Sequence, residues 1–551
     1  MGHFRPFAQP WLSFGVACVV VLLAGAVAVA RVICTYPAVS ETFDEPSHIS
    51  SGMEWLDRGT YTYDTLHPPL GRALIAVGPW VAGARSQGTV GHPWLEGHAV
   101  LNSTGKPRET LALARAGVLP FLVLAVVMLF VWGRRILGDA GGLVAAILFT
   151  TVPPVLAHAG LATTDMAATA TIIASVVALV MWLEQPSRWR TLALGLAVGL
   201  ALLAKLSALV YLSSAGAATA VLWLGTSAEE RQWRARARRL GVAGVVAFLL
   251  LWAGYRFSVG PLVDYARPAE NRSRVVEAAR AVARLPIFPA PEYAAGLNVL
   301  RSKNADGFKN ILLGERIRQG RWYFFAVALA VKTPIPFLVL ASIGAFVLVR
   351  NAARNRRWTD ATPVVAALAI LLAALPSNIT IGVRHVLPIY GPLAVMAAAG
   401  AQALWLRRSS VPAGAVIAAA LIGWQVLESA RAHPQYLAYF NQLAGAHPER
   451  VLMDSDLDWG QDLDRLSDTL KARGIKRVAL SIYTKADLDQ HGLPEFTELA
   501  PNTPVTGWVA ISAFRLYLGY LGDSPFDDFA WLRRYTPVAT VGKSIYLYYI
   551  E

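Results

Sequence analysis

The sequence predicts a polytopic α-helical membrane protein of about eleven spans with a small α/β domain at its C-terminal end. Of its 551 residues 55% are apolar and only 16% are charged, the profile of a chain that lives in a bilayer. Ala/Val/Leu runs of spanning length recur as far as about residue 430, and arginines cluster in the short connections between them. A net charge of +14 would suggest nucleic acid if it formed one soluble patch. Dispersed between apolar runs, it reads as a set of topology signals, and no nucleic-acid partner is expected.

The first run, Trp11 to Ala30, is too long for a signal-peptide core and is expected to stay as an uncleaved span. Cys18 and Cys34 both lie on or beside it, about 24 Å apart along a helix, which excludes a disulfide between them. The expected spans are 11–33, 112–132, 142–159, 166–183, 191–204, 206–224, 240–257, 326–349, 361–377, 386–405 and 411–428. This count puts Gly133-Arg134-Arg135, Arg188-Trp189-Arg190, Arg231 to Arg239, Arg350 to Arg357 and Arg407-Arg408 on one side, the cytoplasmic one by the positive-inside rule, with the N-terminus. Leu70 to Ala84 is apolar but short and broken by Gly78-Pro79, so it is expected to lie in the interface. Thr191 to Leu224 is only 34 residues between two Arg-rich loops, which predicts a hairpin whose tip, near Lys205, is recessed and lines a cavity.

The opposite face then receives the 35–111 loop, Asp165, Lys205, the 258–325 loop, Arg384-His385 and everything after 430. Two domains are expected, 1–430 in the membrane and 431–551 outside it. The 258–325 loop, with Pro286, Pro289 and Pro291 followed by several glycines, reads as a structured lid. In the tail, Val451 to Met453, Arg477 to Tyr483, Trp508 to Phe514 and Val538 to Tyr549 read as strands, and Gln461 to Arg473 as a helix ending at Gly474.

Chemistry is expected where carboxylates meet the membrane surface. Asp44 and Glu45 follow the first span and point about 100° apart on a helix, so one can act on a proton while the other orients it. His48 lies one turn further and is placed to join Asp44. The competing structural reading makes Asp44 a helix N-cap ahead of Pro46, and Asp165 a cap of the span it opens. The Asp454-x-Asp456-x-Asp458 spacing invites a calcium loop, but Trp459 stands where that loop needs glycine and Arg465 where it needs an acid. Helix capping with exposed polar contacts is the expectation there.

Taken together, Asp44-Glu45, His67-Pro68-Pro69-Leu70, Ala157-His158-Ala159-Gly160-Leu161-Ala162-Thr163-Thr164-Asp165, the glycine-rich approach to Lys205, and Arg384-His385-Val386-Leu387-Pro388 resemble the GT-C membrane glycosyltransferases. Within them the chain is most similar to the protein O-mannosyltransferase and aminoarabinose-transferase branch, family 39, over roughly residues 10–430. The resemblance implies an inverting enzyme that moves one sugar from a polyprenyl-phosphate donor to a protein, lipid or glycan acceptor on the extracytoplasmic face of a bacterial inner membrane. It implies Asp44 as general base assisted by Glu45, with Asp165 orienting the acceptor or a catalytic-loop partner. It implies further that Arg384 and His385 hold the donor phosphate. The apolar-flanked Lys205 and Lys332 are expected either to pair with that phosphate or to snorkel to the interface, and His48 and His67 to serve the acceptor or sugar. No cofactor is expected, because cationic side chains can neutralise a monophosphate leaving group. His67 stands where the aminoarabinose-transferase branch has lysine, and the tail lacks the trefoil of the eukaryotic mannosyltransferases. The alternatives are an oligosaccharide transferase or ligase of the same fold, and a lipid-linked-sugar transporter or flippase. A transporter would be expected to show internal repeats, which this sequence lacks.

Overall fold

The computed structural model describes residues 14–89, 92–226, 232–262, 282–406, 412–522 and 524–551. Trp11, Arg231, the middle of the 258–325 loop and the Arg407-Arg408 connection lie outside the described residues. Among the described residues eight helical segments are long and apolar enough to cross a membrane, from Phe14–Ala38 to Ala413–Arg431. One of them, Pro107–Phe149, holds one complete pass and the start of a second, which Pro153–Ala159 continues. At Gly138 the backbone leaves the helical region (φ 81°, ψ 179°). A Cβ on Gly142 would come within 2.6 Å of the Phe130 carbonyl oxygen, whereas a continuous helix would separate those residues by about 18 Å. The chain therefore doubles back there, in agreement with expected spans 112–132 and 142–159. Two helices of 17 residues each, Arg188–Ala204 and Trp358–Ala374, complete the expected set.

Among the described residues the Arg-rich connections at 134–135, 188–190 and 232–239 gather at one end of the bundle. Arg135 pairs with Glu184, Arg190 and Arg236 donate to the carbonyls of Met181 and Leu183, and Arg239 donates to Pro186. Asp165, at the other end of the Asp165–Glu184 helix, meets Lys205, the tip of the hairpin formed by Arg188–Ala204 and Ser207–Thr226. Lys205 is 7% exposed, recessed as the short hairpin predicts.

The first long loop folds into the short helices Glu45–Asp57, Pro69–Val81, Pro93–Asn102 and Pro107–Ala116, each with proline at its start, where the missing N–H costs nothing. Pro69–Val81, at 13 residues, is too short to span. In the second long loop the described residues form a ribbon of β1 (Val259–Gly260) with β2 (Phe288–Pro289), the helix Pro291–Asp306, and a ribbon of β3 (Asn310–Leu312) with β4 (Glu315–Ile317).

The tail carries a five-stranded mixed sheet of β5 (Arg477–Ser481), β6 (Glu495–Glu498), β7 (Gly507–Ser512), β8 (Ala539–Val541) and β9 (Ile545–Ile550), in the order β6-β5-β7-β9-β8. β5 runs parallel to β6 and β7, and β9 runs antiparallel to β7 and β8. The amphipathic helix Leu463–Ala472 buries Leu463, Leu466 and Leu470 against one face of the sheet, while Phe529 and Leu532 cover the other. Two expectations need correction. Val451 to Met453 is no strand and contributes a single bridge, Leu452 to Leu312, because Pro448 and the turn around it hold the segment against β3. The strand β6 was not expected, since Glu-Phe-Thr-Glu carries one apolar residue in four.

Candidate functional site

Asp44 and Glu45 are adjacent but serve different surroundings. Glu45 is fully buried, and its two oxygens accept from Arg115 Nε and Nη2 (both 2.8 Å), the backbone N–H groups of Thr42 and Ala162 (both 2.8 Å) and Thr42 Oγ1 (3.1 Å). Burial pushes the Glu45 carboxyl up, but the Arg115 guanidinium and these donors outweigh it and hold it below its ordinary value. Arg115 also donates to the carbonyls of Val39 and Ser40. This unit ties the 36–45 segment to the Pro107–Ala116 helix and to the 160–163 turn, leaving Glu45 no lone pair for a substrate. Glu45 thus orients its neighbour and does not face the site. Arg115 escaped the sequence reading because an arginine in an outer loop looks no different from a solvated one.

Asp44 turns the other way, with its side chain 25% exposed. It occupies the N-cap position of Glu45–Asp57 but makes no capping hydrogen bond. Its Oδ2 instead accepts from Arg384 Nη1 at 2.9 Å. The same nitrogen lies 3.9 Å from Asp165 Oδ2, and Asp165 Oδ1 accepts from Lys205 Nζ at 2.5 Å. Thr163 Oγ1 donates to Asp165 at 3.1 Å, and His158 Nδ1 stands 3.9 Å from it. Asp165 opens its helix without capping it. The result is an alternating row, Asp44, Arg384, Asp165, Lys205, drawn from four distant segments.

Arg384 has one charged neighbour within bonding distance and a donor, Nε, that is buried without a partner. Its guanidinium lies 4.1 Å from the centre of the Trp459 ring, a desolvated cation–π contact. His385 Nε2 is likewise buried without a partner, while its carbonyl accepts from Tyr211. Trp459 and His158 were legible as parts of motifs but not as site residues, since nothing in the order of the chain brings them to residue 384.

His67 sits beside this row, with Nδ1 3.2 Å from Thr164 Oγ1 and its ring 5.0 Å from that of His48. His48 does not join Asp44: its Nδ1 accepts from Arg72 Nε at 2.9 Å, inside a buried unit in which Arg72 also pairs with Asp64 and bonds Tyr61. Burial first, then the Arg72 charge, holds both imidazoles well below the ordinary histidine value and so neutral. Lys332 is 1% exposed and donates to the carbonyls of Leu437 (2.8 Å) and Asp456 (2.6 Å). Its ammonium is enclosed there, which removes it from the phosphate-binding set and makes it a tie between bundle and tail.

The acids of the 454–458 loop are not exposed: Asp454, Asp456 and Asp458 are 3%, 1% and 0% accessible. Burial raises Asp454 to about 7, against the pull of Arg384, and raises Asp458 to about 7. Asp454 also holds a left-handed backbone, φ 55°, which costs a non-glycine residue energy. Among the described residues no group of three or more His, Cys, Asp or Glu side chains could hold a metal ion.

The sequence profile of the Dolichyl-phosphate-mannose-protein mannosyltransferase family matches residues 21–257, which contain Asp44, Asp165 and Lys205 but not Arg384. No curated protein matches the chain at the level of sequence. Among solved structures, the chain is similar to the oligosaccharyltransferase AglB from Archaeoglobus fulgidus, in complex with an inhibitory peptide and a dolichol-phosphate. The TM-score is 0.50 at 13% identity, over 75% of this chain and 55% of that one, so the chain spans little more than half the length of that relative. ArnT from Cupriavidus metallidurans, bound to undecaprenyl phosphate, aligns over 96% of this chain and 97% of its own, with a TM-score of 0.48 and 13% identity. The fold is that of the GT-C membrane glycosyltransferases.

Proposed function

We propose that this GT-C-fold membrane protein is an inverting glycosyltransferase that moves a single sugar from a polyprenyl-phosphate carrier to an acceptor hydroxyl. The acceptor is a protein, lipid or glycan at the extracytoplasmic face of a bacterial plasma membrane. One observation carries the reading: Asp44, Arg384, Asp165 and Lys205 meet at the end of the bundle opposite the Arg-rich connections, and neither acid caps its helix. The family match over 21–257 supports it independently.

Asp44 removes the acceptor proton as the oxygen attacks the anomeric carbon from the face opposite the phosphate. The bond from that carbon to the phosphate oxygen breaks with its electron pair going to phosphate, and one displacement inverts the configuration. Arg384 meets the growing charge with its planar fork, for which the unpartnered Nε is available. His385, whose Nε2 is also unpartnered, adds a donor, and His67 lines the acceptor or sugar side. Asp165 holds Lys205 and Arg384 in place. The bond between Asp44 and Arg384 couples the two halves of the reaction. Arg384 holds Asp44 through Nη1 and meets the phosphate through its unpartnered Nε, so one guanidinium aligns the base with the leaving group.

The test is incubation of the purified protein, in detergent with lipid, with a panel of radiolabelled polyprenyl-phosphate monosaccharides, comparing wild type with Asp44→Asn. Sugar release from one donor that depends on Asp44 is expected. Absence of turnover with every donor, with binding that Asp44→Asn leaves unchanged, would overturn the reading in favour of a transporter or an oligosaccharide-transferring enzyme.

A further inference from the structure

The tail reaches the site through residues 454–461, with Tyr483 stacked on Phe43 beside them, and the 454–461 loop holds the backbone beside both members of the Asp44–Arg384 pair. On the Asp44 side, the Phe43 N–H donates to the Trp459 carbonyl and the Ser40 N–H to the Gln461 carbonyl, both at 3.0 Å. On the Arg384 side, the Val383 N–H donates to Asp456 Oδ1 at 3.0 Å, and Ser455 Oγ donates to the Ile381 carbonyl. Gly382 permits this approach: it lies at φ 126°, and a Cβ there would fall 2.5 Å from Ser455 Oγ. Between the two attachments the Trp459 ring packs on the Arg384 guanidinium. The loop is itself fixed from the bundle by Lys332, which donates to the Asp456 carbonyl, and from the sheet domain by the Phe514 N–H, which donates to Asp458 Oδ2 at 2.7 Å.

We propose that the 454–461 loop is a positioning clamp that sets the separation and alignment of Asp44 and Arg384, so that Asp456 and Trp459 are positioning residues for transfer and the C-terminal domain is part of the catalytic apparatus. A loop serving only to anchor the tail would need one attachment. This one has two, at Val383 and Phe43, each the residue next to a site residue, joined by the four residues 456–459. A displacement of about 1 Å between reacting groups can cost a hundredfold in rate, which gives such a clamp something to do. The kinetic consequence rests on the glycosyltransferase reading; the geometric one does not.

The test uses the full-length protein in lipid nanodiscs with Asp456→Asn, Asp456→Ala and Trp459→Leu. Asparagine keeps an oxygen for the Val383 N–H, and Trp459→Leu removes the ring while leaving the backbone bonds. Cryo-electron microscopy of Asp456→Ala and Trp459→Leu is expected to show Arg384 out of hydrogen-bond distance of Asp44. Turnover per folded molecule should fall about tenfold or more in both, with the KM for donor within about threefold of wild type and Asp456→Asn restoring most of the loss. Arg384 still bonded to Asp44 in both variants would overturn the clamp, as would a lowered melting temperature with unchanged turnover. Should Asp456→Ala fail to fold, Trp459→Leu decides alone by the same two readings. A wild type that turns over no donor defeats the glycosyltransferase reading, and the structures of the variants then still decide the clamp.

Discussion

Two arginine–carboxylate pairs stand side by side in the chain and differ in every respect that matters. Glu45 with Arg115 is saturated: the side chains are 0% and 1% exposed, and the carboxylate accepts five hydrogen bonds. Asp44 with Arg384 is open, the acid 25% exposed with one side-chain hydrogen bond and the arginine keeping a buried donor without a partner. A buried pair with every lone pair used holds the backbone in place. A pair left unsaturated and partly open retains the capacity to bind something else. The difference gives Glu45 a structural place and leaves Asp44 as the acid that the proposed reaction would use.

The largest break in this comparison comes from the open pair. Asp44→Asn is expected to lower turnover by about 10²–10⁴-fold, the range for loss of a general base, with a melting temperature close to wild type. Equal loss of folding and activity would erase the distinction. The saturated pair should respond the other way. Glu45→Ala strands a buried guanidinium and is expected to destabilise the fold by about 3–5 kcal/mol, read by thermal unfolding in detergent. Arg384→Lys keeps the charge but loses the planar fork and the stacking on Trp459. A fall in kcat/KM for donor of roughly tenfold to a hundredfold is expected, the equivalent of about 1.4–2.7 kcal/mol.

The smallest effect sharpens the comparison through pH. Glu41, close to the saturated pair, is buried and its carboxyl is pushed up to about 8, by burial first and then by the Glu45 charge. A carboxyl whose folded value lies above its unfolded one stabilises the fold fully below the unfolded value near 4.5. That contribution is lost as pH rises towards 8. Glu41→Gln removes the loss, so its melting temperature should exceed that of wild type at pH 8.5 and approach it at pH 5. Parallel curves at both pH values would show that Glu41 does not titrate with folding.

How far the site was legible follows from what each residue needed. Asp165 and Lys205 could be placed together because an apolar flank makes any ion at a span end costly and so conspicuous. The recessed hairpin was readable from its length alone. Glu45 was implied by the resemblance as an assisting acid, His48 by its spacing from Asp44 and Lys332 by its apolar flanks; the structure engages Glu45 with Arg115, His48 with Arg72 and Lys332 with two carbonyls. Each partner lies at least 24 residues away in the chain, beyond the reach of local periodicity. The acidic 454–458 loop was read as exposed because three aspartates in five residues ordinarily are. Its burial depends on Val383, Phe514 and Lys332, contributed by three other segments.

The sequence by itself determined the membrane class, the spans and their common sidedness, and the tail's helix and most of its strands. These follow from hydropathy and period, which are local and summed over many residues. Only the tertiary structure decided which acid of the Asp-Glu motif faces the site, that Arg384 bridges Asp44 and Asp165, and that the tail clamps both sides of that pair. Those outcomes depend on single hydrogen bonds and ion pairs between segments at least 70 residues apart, as between Glu45 and Arg115, and 340 apart for Asp44 and Arg384. No periodicity encodes such a bond; it exists only once the helices have packed.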